Sequence, residues 1–243
     1  MKRRFKTAFI LAAGLGKRLW PYTKYLPKPL LPLWGRPIIS YIIDNLSKCG
    51  FEKFIINVHH KPESYEKVFP GLRWEGKLMI LRYESELLDT GGALKNIEDL
   101  LTDDEAILCH NGDILTTIPY GKVIDFHERE RPLFTLCLRS SGPERHIYLD
   151  ESYRLTGIRR NKEGSLTFGF QFTGIYAVET ESLKYIEPKK KISLIDILQK
   201  LSKNDPNSVK GVIVDEGVWF DLGTKESYRE VRRKNKVDIL GWT

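Results

Sequence analysis

The chain has 243 residues, 41% of them hydrophobic, which is enough for one α/β domain with a substantial core, and no proline- or glycine-rich linker divides it. A net charge of +7 and a pI near 9.2 could serve nucleic acid, but the basic residues form no stripe and carry no base-stacking motif, so the excess reads as a means of gathering small anionic substrates. Cys49, Cys109 and Cys137 are odd in number and lack CxxC or His-paired metal spacing, which argues for reduced core thiols, a cytoplasmic setting and no disulfides.

The opening MKRRFKTAFILAAG has the charge and apolar run of a signal peptide. That run is too short and breaks into GLGKR, so it reads as a first strand, with no membrane partner expected. Residues 9–13 are continuously apolar, as in a parallel strand covered on both faces. Gly14 and Gly16 then allow a sharp bend and a close ligand approach, and exposed amides there suit phosphate. Lys17, Arg18, Lys24 and Lys28 add cations, while Pro21, Pro27, Pro29 and Pro32 are expected to keep the segment extended. Two glycine motifs fail here. A dinucleotide fingerprint needs glycine at Leu19, and a P-loop needs glycine at Leu11 and a hydroxyl at Arg18.

Pro37 sits where a helix should begin. Ile38, Ile39, Ile42, Ile43 and Leu46 share one helical face, and Gly50 offers a stop. Residues 54–58 form the second buried strand, followed by a short helix over 62–69 and a strand over 78–83. His59 and His60 close the second strand without a third ligand and read as loop-lining rather than as a metal site. In ELLDTGGALKN a helix is expected to start at or just after Gly91 and Gly92, whose bare backbone could lie close to a flat ligand; the plainer alternative is a glycine-rich loop with Thr90 as a cap. Residues 106–110 make another buried strand ending in Asn111, Gly112 and Asp113. A carboxylate at that end of a parallel strand suits a hard cation, with Mg²⁺ the natural candidate.

A helix over 119–130 follows, with Val123, Phe126 and His127 inward, and then a strand over 133–138. Shorter strands near 147–149 and 154–158, a turn at 161–164 and a long strand over 166–178 change the character of the chain. A helix around 192–201 and a strand over 212–214 precede VWFDLG, which delivers Asp221 at a strand end before a helix over 224–233.

The segments LAAG, Gly16-x-Arg18-Leu19-x-Pro21-x-Thr23 and PKPLLP resemble the signature of the sugar-phosphate nucleotidyltransferases, and the resemblance continues to about residue 233. It implies a Rossmann-like three-layer α/β sandwich with a mostly parallel central sheet and a small sugar-binding β subregion. One domain is expected, with a nucleotide half over about 1–130 and a sugar half over about 131–243. The implied reaction is Mg²⁺-dependent transfer of a nucleotidyl group from an NTP to a sugar 1-phosphate. Arg18 would hold the β- and γ-phosphates, and Lys28 the α-phosphate and incoming sugar phosphate. Leu11, Ala13, Gly14, Gly16, Gly91, Gly92 and Asn111 would line the nucleotide, and Asp113 and Asp221 would share the metal.

The TGGA form resembles members that use guanine or uracil nucleotides. FTGIY makes Thr173 and Gly174 sugar candidates, and RRNKEG keeps Lys162 while departing from the family's EKP, which leaves the sugar open. Many relatives carry a C-terminal β-helix or regulatory extension; this chain is expected to stand alone, with homodimerisation left open. A non-sugar acceptor such as phosphocholine, or a silent paralogue that binds nucleotide sugar, are the alternatives.

Overall fold

The structure, a computed structural model, describes residues 5–101, 105–158 and 169–241. In chain order the elements begin with β1 (Phe5–Leu11), α1 (Ile38–Lys48), β2 (Lys53–Val58), α2 (Glu63–Val68), β3 (Lys77–Tyr83) and α3 (Asp89–Lys95). There follow β4 (Ala106–Asn111), β5 (Ile114–Thr116), α4 (Tyr120–Glu130), β6 (Phe134–Arg139), β7 (Arg145–Leu149) and β8 (Leu155–Ile158). The last are β9 (Phe170–Glu179), α5 (Leu194–Asn204), β10 (Val209–Ile213), β11 (Trp219–Asp221), α6 (Lys225–Arg233) and α7 (Lys236–Leu240). The expected α/β class is what forms, and its segments group into two compact units that interleave along the chain.

One unit holds Lys6–Leu87, His110–Ile118 and the chain from Gly217 onward. Its sheet is mostly parallel, with β1 against β2 and β2 against β3 and the short edge strand Arg73–Trp74 antiparallel to β3; Ile10 sits opposite Ile56, and Ile56 opposite Leu81. Ala8, Phe9, Ile10, Phe54, Ile55 and Ile56 are fully buried, as strands covered on both faces require. Helix α1 starts one residue later than expected, because Pro37 is extended and serves as its cap. Its five predicted inward residues are all buried, and Gly50 ends it in the left-handed conformation that glycine alone adopts freely.

The loop after β1 is not extended. It is folded into three single 3₁₀ turns, Lys17–Leu19, Tyr22–Lys24 and Lys28–Leu30, closed by bonds such as Leu19 N to Gly16 O at 2.8 Å and Leu30 N to Pro27 O at 2.9 Å. Proline tolerates this, because the first residues of a turn have no intrahelical acceptor for an N–H in any case. Leu19, Leu31 and Leu33 plug the loop into a core shared with Ile38, Tyr41, Leu222, Tyr228 and Val231. The Tyr41 hydroxyl donates to Leu33 O at 2.9 Å and the Tyr228 hydroxyl to Pro32 O at 2.5 Å. This anchoring holds the loop's lysines and arginine at defined places.

The other unit comprises Leu88–Cys109 and Pro119–Glu216 with Phe5. Its strand order is β8-β7-β9-β4, with β6 antiparallel to β9 and parallel to β10. His127 is buried, as its predicted inward position requires. It meets Thr135 Oγ1 at 2.8 Å, lies 3.2 Å from Glu179 Oε1 and packs edge-on against Phe5. All three cysteines stand as thiols; burial pushes the Cys137 thiol up to about 12 and Cys109 higher still. Among the described residues no helix is long and apolar enough to cross a membrane.

Candidate active site

Two aspartates far apart in sequence are brought side by side by local pairing. Strands β5 and β11 form an antiparallel ribbon in which Asp221 faces Ile114, Phe220 faces Leu115 and Trp219 faces Thr116. Leu222 N donates to Asp113 O at 2.9 Å and Thr116 Oγ1 to Val218 O at 2.6 Å, so the ribbon is pinned at both ends. Helix α6 then begins with a capping box between Thr224 and Ser227, which stops the chain just beyond Asp221.

Lys28 reaches Asp113 as an ion pair, with side chains 15% and 17% exposed. Arg18 comes in from the first 3₁₀ turn, and its Nη2 lies 2.8 Å from where a Cβ on Gly223 would stand, beside Asp221 Oδ1. Gly223 N donates to that Oδ1 at 2.7 Å. The carboxyl of Asp221 is raised above the ordinary aspartate value, first by the protein crowded around it and then by the charge of Asp113. Gly223 N–H, Lys28 and Arg18 pull the other way. Two carboxylates thus face two cations.

Gly16 takes φ +62°, and a Cβ there would sit 2.9 Å from Thr23 Cγ2, so its own loop needs glycine at that point. Gly14 is exposed, and a Cβ there would meet nothing within 4 Å. Ala13 is buried against the strand end, Leu11 O accepts from Gly112 N at 2.8 Å, and Asn111 is half-buried at the end of β4. Beside Asn111, burial pushes His110 down to about 4. His60 Nε2 lies 3.1 Å from Thr23 O and His59 Nδ1 2.8 Å from Glu84 O, the loop-lining roles expected of them.

Leu11, Ala13, Gly14, Gly16, Arg18, Lys28, Asn111, Asp113 and Asp221 therefore share one unit. Gly91, Gly92, Thr173 and Gly174 belong to the other. Helix α3 begins at Asp89, ahead of the glycines, and Gly91 N and Gly92 N both donate to Ile192 O, at 2.9 and 3.1 Å. Thr90 accepts from Leu194 N at 3.0 Å, so it caps the start of α5 rather than α3. Thr173 is fully buried with its hydroxyl donating to Cys137 O at 2.8 Å; Gly174, at φ +77°, lies where the β9 to β6 register shifts. Lys162 and the rest of RRNKEG lie outside the described residues.

Sequence reasoning passed over Asn57, whose buried side chain meets the strand end at Ala12, and Glu84, whose buried carboxylate meets Asn57. A polar residue inside the apolar run FIINV and an acidic one just past the strand Lys77–Tyr83 were the signal available for them.

The donor set fits a hard divalent cation. Asp113 and Asp221 supply anionic oxygens side by side, with the charge of Asp113 felt at the Asp221 carboxyl. Two carboxylates with water and phosphate oxygens filling the remaining positions is the usual pattern for Mg²⁺.

An α/β fold whose strand ends present two carboxylates, with two cations on an anchored glycine loop, has the charge pattern that suits a polyphosphate with a divalent ion. The chain belongs to the nucleotidyl transferase family, whose profile matches residues 7–237. A mannose-1-phosphate guanylyltransferase of Mycobacterium tuberculosis is 28% identical over 225 residues, covering 91% of this chain and 62% of its own length. A D-glycero-alpha-D-manno-heptose 1-phosphate guanylyltransferase of Aneurinibacillus thermoaerophilus is 30% identical over 235 residues, covering 93% and 97%. The chain thus spans under two thirds of the first relative and nearly all of the second. The UDP-glucose pyrophosphorylase structure from Acinetobacter baumannii superposes with a TM-score of 0.80 at 19% identity, over 94% of this chain and 92% of its own, a likeness of fold.

Proposed function

We propose that the protein transfers the nucleotidyl group of an NTP to a sugar 1-phosphate and releases pyrophosphate, with GTP and mannose 1-phosphate or a related hexose or heptose 1-phosphate as the favoured pair. The observation that carries this reading is the cluster of Arg18, Lys28, Asp113 and Asp221 at one end of a parallel sheet. The two guanylyltransferase relatives support the choice of base and sugar.

A sugar 1-phosphate is anionic at neutral pH, so its oxygen attacks the α-phosphorus without a nucleophilic side chain or strong base. A new P–O bond forms to that oxygen while the bond to the β-phosphate oxygen breaks, and the electron pair leaves with pyrophosphate. The task left to the protein is to hold two repelling anions in line and to neutralise the charge that shifts onto the leaving group. Lys28 exchanges its contact with Asp113 for the α-phosphate and the incoming phosphate. Arg18 holds the β- and γ-phosphates, where its planar fork matches two oxygens at once. Asp113 and Asp221 would hold Mg²⁺, which when bound supplies Lewis-acid neutralisation of phosphate charge.

Gly14 leaves the open space through which a phosphate approaches the backbone. At the sugar, backbone near Gly174 is the better candidate than the Thr173 hydroxyl, which is already spent on Cys137 O. Asn111, Gly91 and Gly92 at the nucleotide, and Lys162 at the sugar, remain part of this proposal, as does a single functional domain in the cytoplasm.

The test is pyrophosphate release with Mg²⁺ across GTP, UTP, dTTP, CTP and ATP, each crossed with sugar 1-phosphates and phosphocholine. Release confined to GTP with mannose or heptose 1-phosphate is expected. Release with phosphocholine alone, or nucleotide binding without turnover on any acceptor, would overturn the reading.

A further inference from the structure

Strand β1 leaves its ladder at Leu11, opposite Asn57 on β2. The next amide, Ala12 N–H, is nearly buried, and a buried backbone donor must find an acceptor. It finds a side chain: Ala12 N donates to Asn57 Oδ1 at 2.7 Å. The other end of the same amide, Asn57 Nδ2, donates to Glu84 Oε1 at 2.7 Å. Both side chains are buried, Asn57 3% exposed and Glu84 2%.

Glu84 is itself fixed at the end of β3. Its N–H donates to Val58 O at 2.8 Å, and its carbonyl accepts from His59 Nδ1 at 2.8 Å. A carbonyl only accepts, so His59 carries its proton on Nδ1. The carboxylate likewise only accepts. It therefore turns the Asn57 NH₂ toward itself and the Asn57 oxygen toward Ala12; with the amide reversed, two acceptors would face each other and Ala12 N–H would face a donor.

We propose that Glu84 and Asn57 are positioning residues of the nucleotide site. Glu84 orients Asn57, Asn57 sets the peptide plane at Ala12, and that plane sets the direction in which Ala13 and Gly14 leave the strand toward the phosphates. The inference rests on the reading of the loop as the nucleotide loop. Neither residue touches the reacting atoms; both act through backbone.

The test is reversal of the relay. Asn57→Asp keeps the volume and the acceptor for Ala12 but places a second carboxylate against Glu84. Mg·NTP affinity, measured by calorimetry at 25 °C on folded protein, is expected to fall about tenfold or more, the loss that accompanies a broken buried hydrogen bond. In the double variant, Asn57→Asp with Glu84→Gln, the amide introduced at position 84 donates to the carboxylate introduced at position 57, whose other oxygen still accepts from Ala12. Affinity is expected to return to within about threefold of wild type, since the hydrogen-bond count is restored. Lost packing alone would lower the Tm of both variants and leave no rescue.

An Asn57→Asp protein that binds as tightly as wild type, or a double variant no better than the single one, overturns the proposal. If Asn57→Asp does not fold, the double variant must fold and bind within that limit, and its failure also overturns it. A wild-type protein that binds no NTP overturns the nucleotide reading and this inference together. A wild type that binds beside an equally competent Asn57→Asp overturns this inference alone.

Discussion

The glycines after β1 and the glycines of α3 look alike in the sequence, each a pair set in a polar turn next to a buried element. A Cβ on Gly14 would meet nothing within 4 Å, although the surrounding loop is anchored by buried leucines. A Cβ on Gly91 would lie 2.3 Å from Ile197 Cδ1, and one on Gly92 2.2 Å from Lys190 O. The protein itself requires glycine in α3, because the chain before α5 packs directly on the helix backbone. Among the described residues nothing crowds residue 14, which leaves its backbone open to the ligand proposed above. On the proposed reading residue 14 stays open for a ligand, while at Gly91 and Gly92 the same backbone is also fixed by packing, and substitutions separate the two by which measurement moves.

Lys28→Ala should have the largest effect, a fall in kcat of about 10³-fold with the fold retained, the scale on which removal of a charge-stabilising group is felt. Pyrophosphate release and a thermal melt check it together. Retained turnover would end the assignment of the loop.

Gly92→Ala should act on the other region by destabilising the protein about 3 kcal/mol, the upper range for an overpacked site, because the atom it strikes is backbone that cannot turn aside. Urea denaturation measures this. A stable variant with weakened nucleotide binding would reverse the comparison.

The strand that leads to Asp113 adds a pH signature. His110 is pushed down to about 4 by burial, so its neutral form belongs to the folded state. Its stabilising contribution is complete above the unfolded value near 6.5 and is lost as pH falls through about 4, a change of about 3 kcal/mol. Urea midpoints at pH 7 and pH 4 should show that difference, and His110→Gln should reduce it.

Gly14→Ala should leave the Tm unchanged and weaken Mg·NTP binding about tenfold, by closing a backbone approach. A variant that binds normally would mean that no ligand uses the space. Thr90→Ala, the smallest change, should cost about 1 kcal/mol of stability through the lost cap on α5, with kinetics untouched. Altered KM in that variant would show that the Thr90 contact also bears on the ligand.

Much of this was legible along the chain. A continuous apolar run marked β1, five isoleucine and leucine positions marked α1, and Gly, Lys, Arg and Pro at fixed spacings marked the phosphate loop, because propensity, periodicity and charge are local properties. The misreadings were local as well. Four prolines suggested an extended loop, yet proline also fits the first residues of 3₁₀ turns, and anchoring by Leu19, Leu31 and Leu33 selected that option. Thr90 looked like the cap of its own helix and caps another.

Sequence by itself determined the cationic loop that carries Arg18 and Lys28 and the carboxylates Asp113 and Asp221 near strand ends, and the family resemblance made these four the candidates. Only the tertiary structure decided that Asp221 would face Ile114 across a ribbon and stand beside Asp113, that Glu84 would orient Asn57 under Ala12, and that Gly92 would lie beneath Lys190 O. Those are matters of register and of contacts between distant segments. They leave no period in the sequence, because the partner of each residue is chosen by the fold and not by its neighbours in the chain.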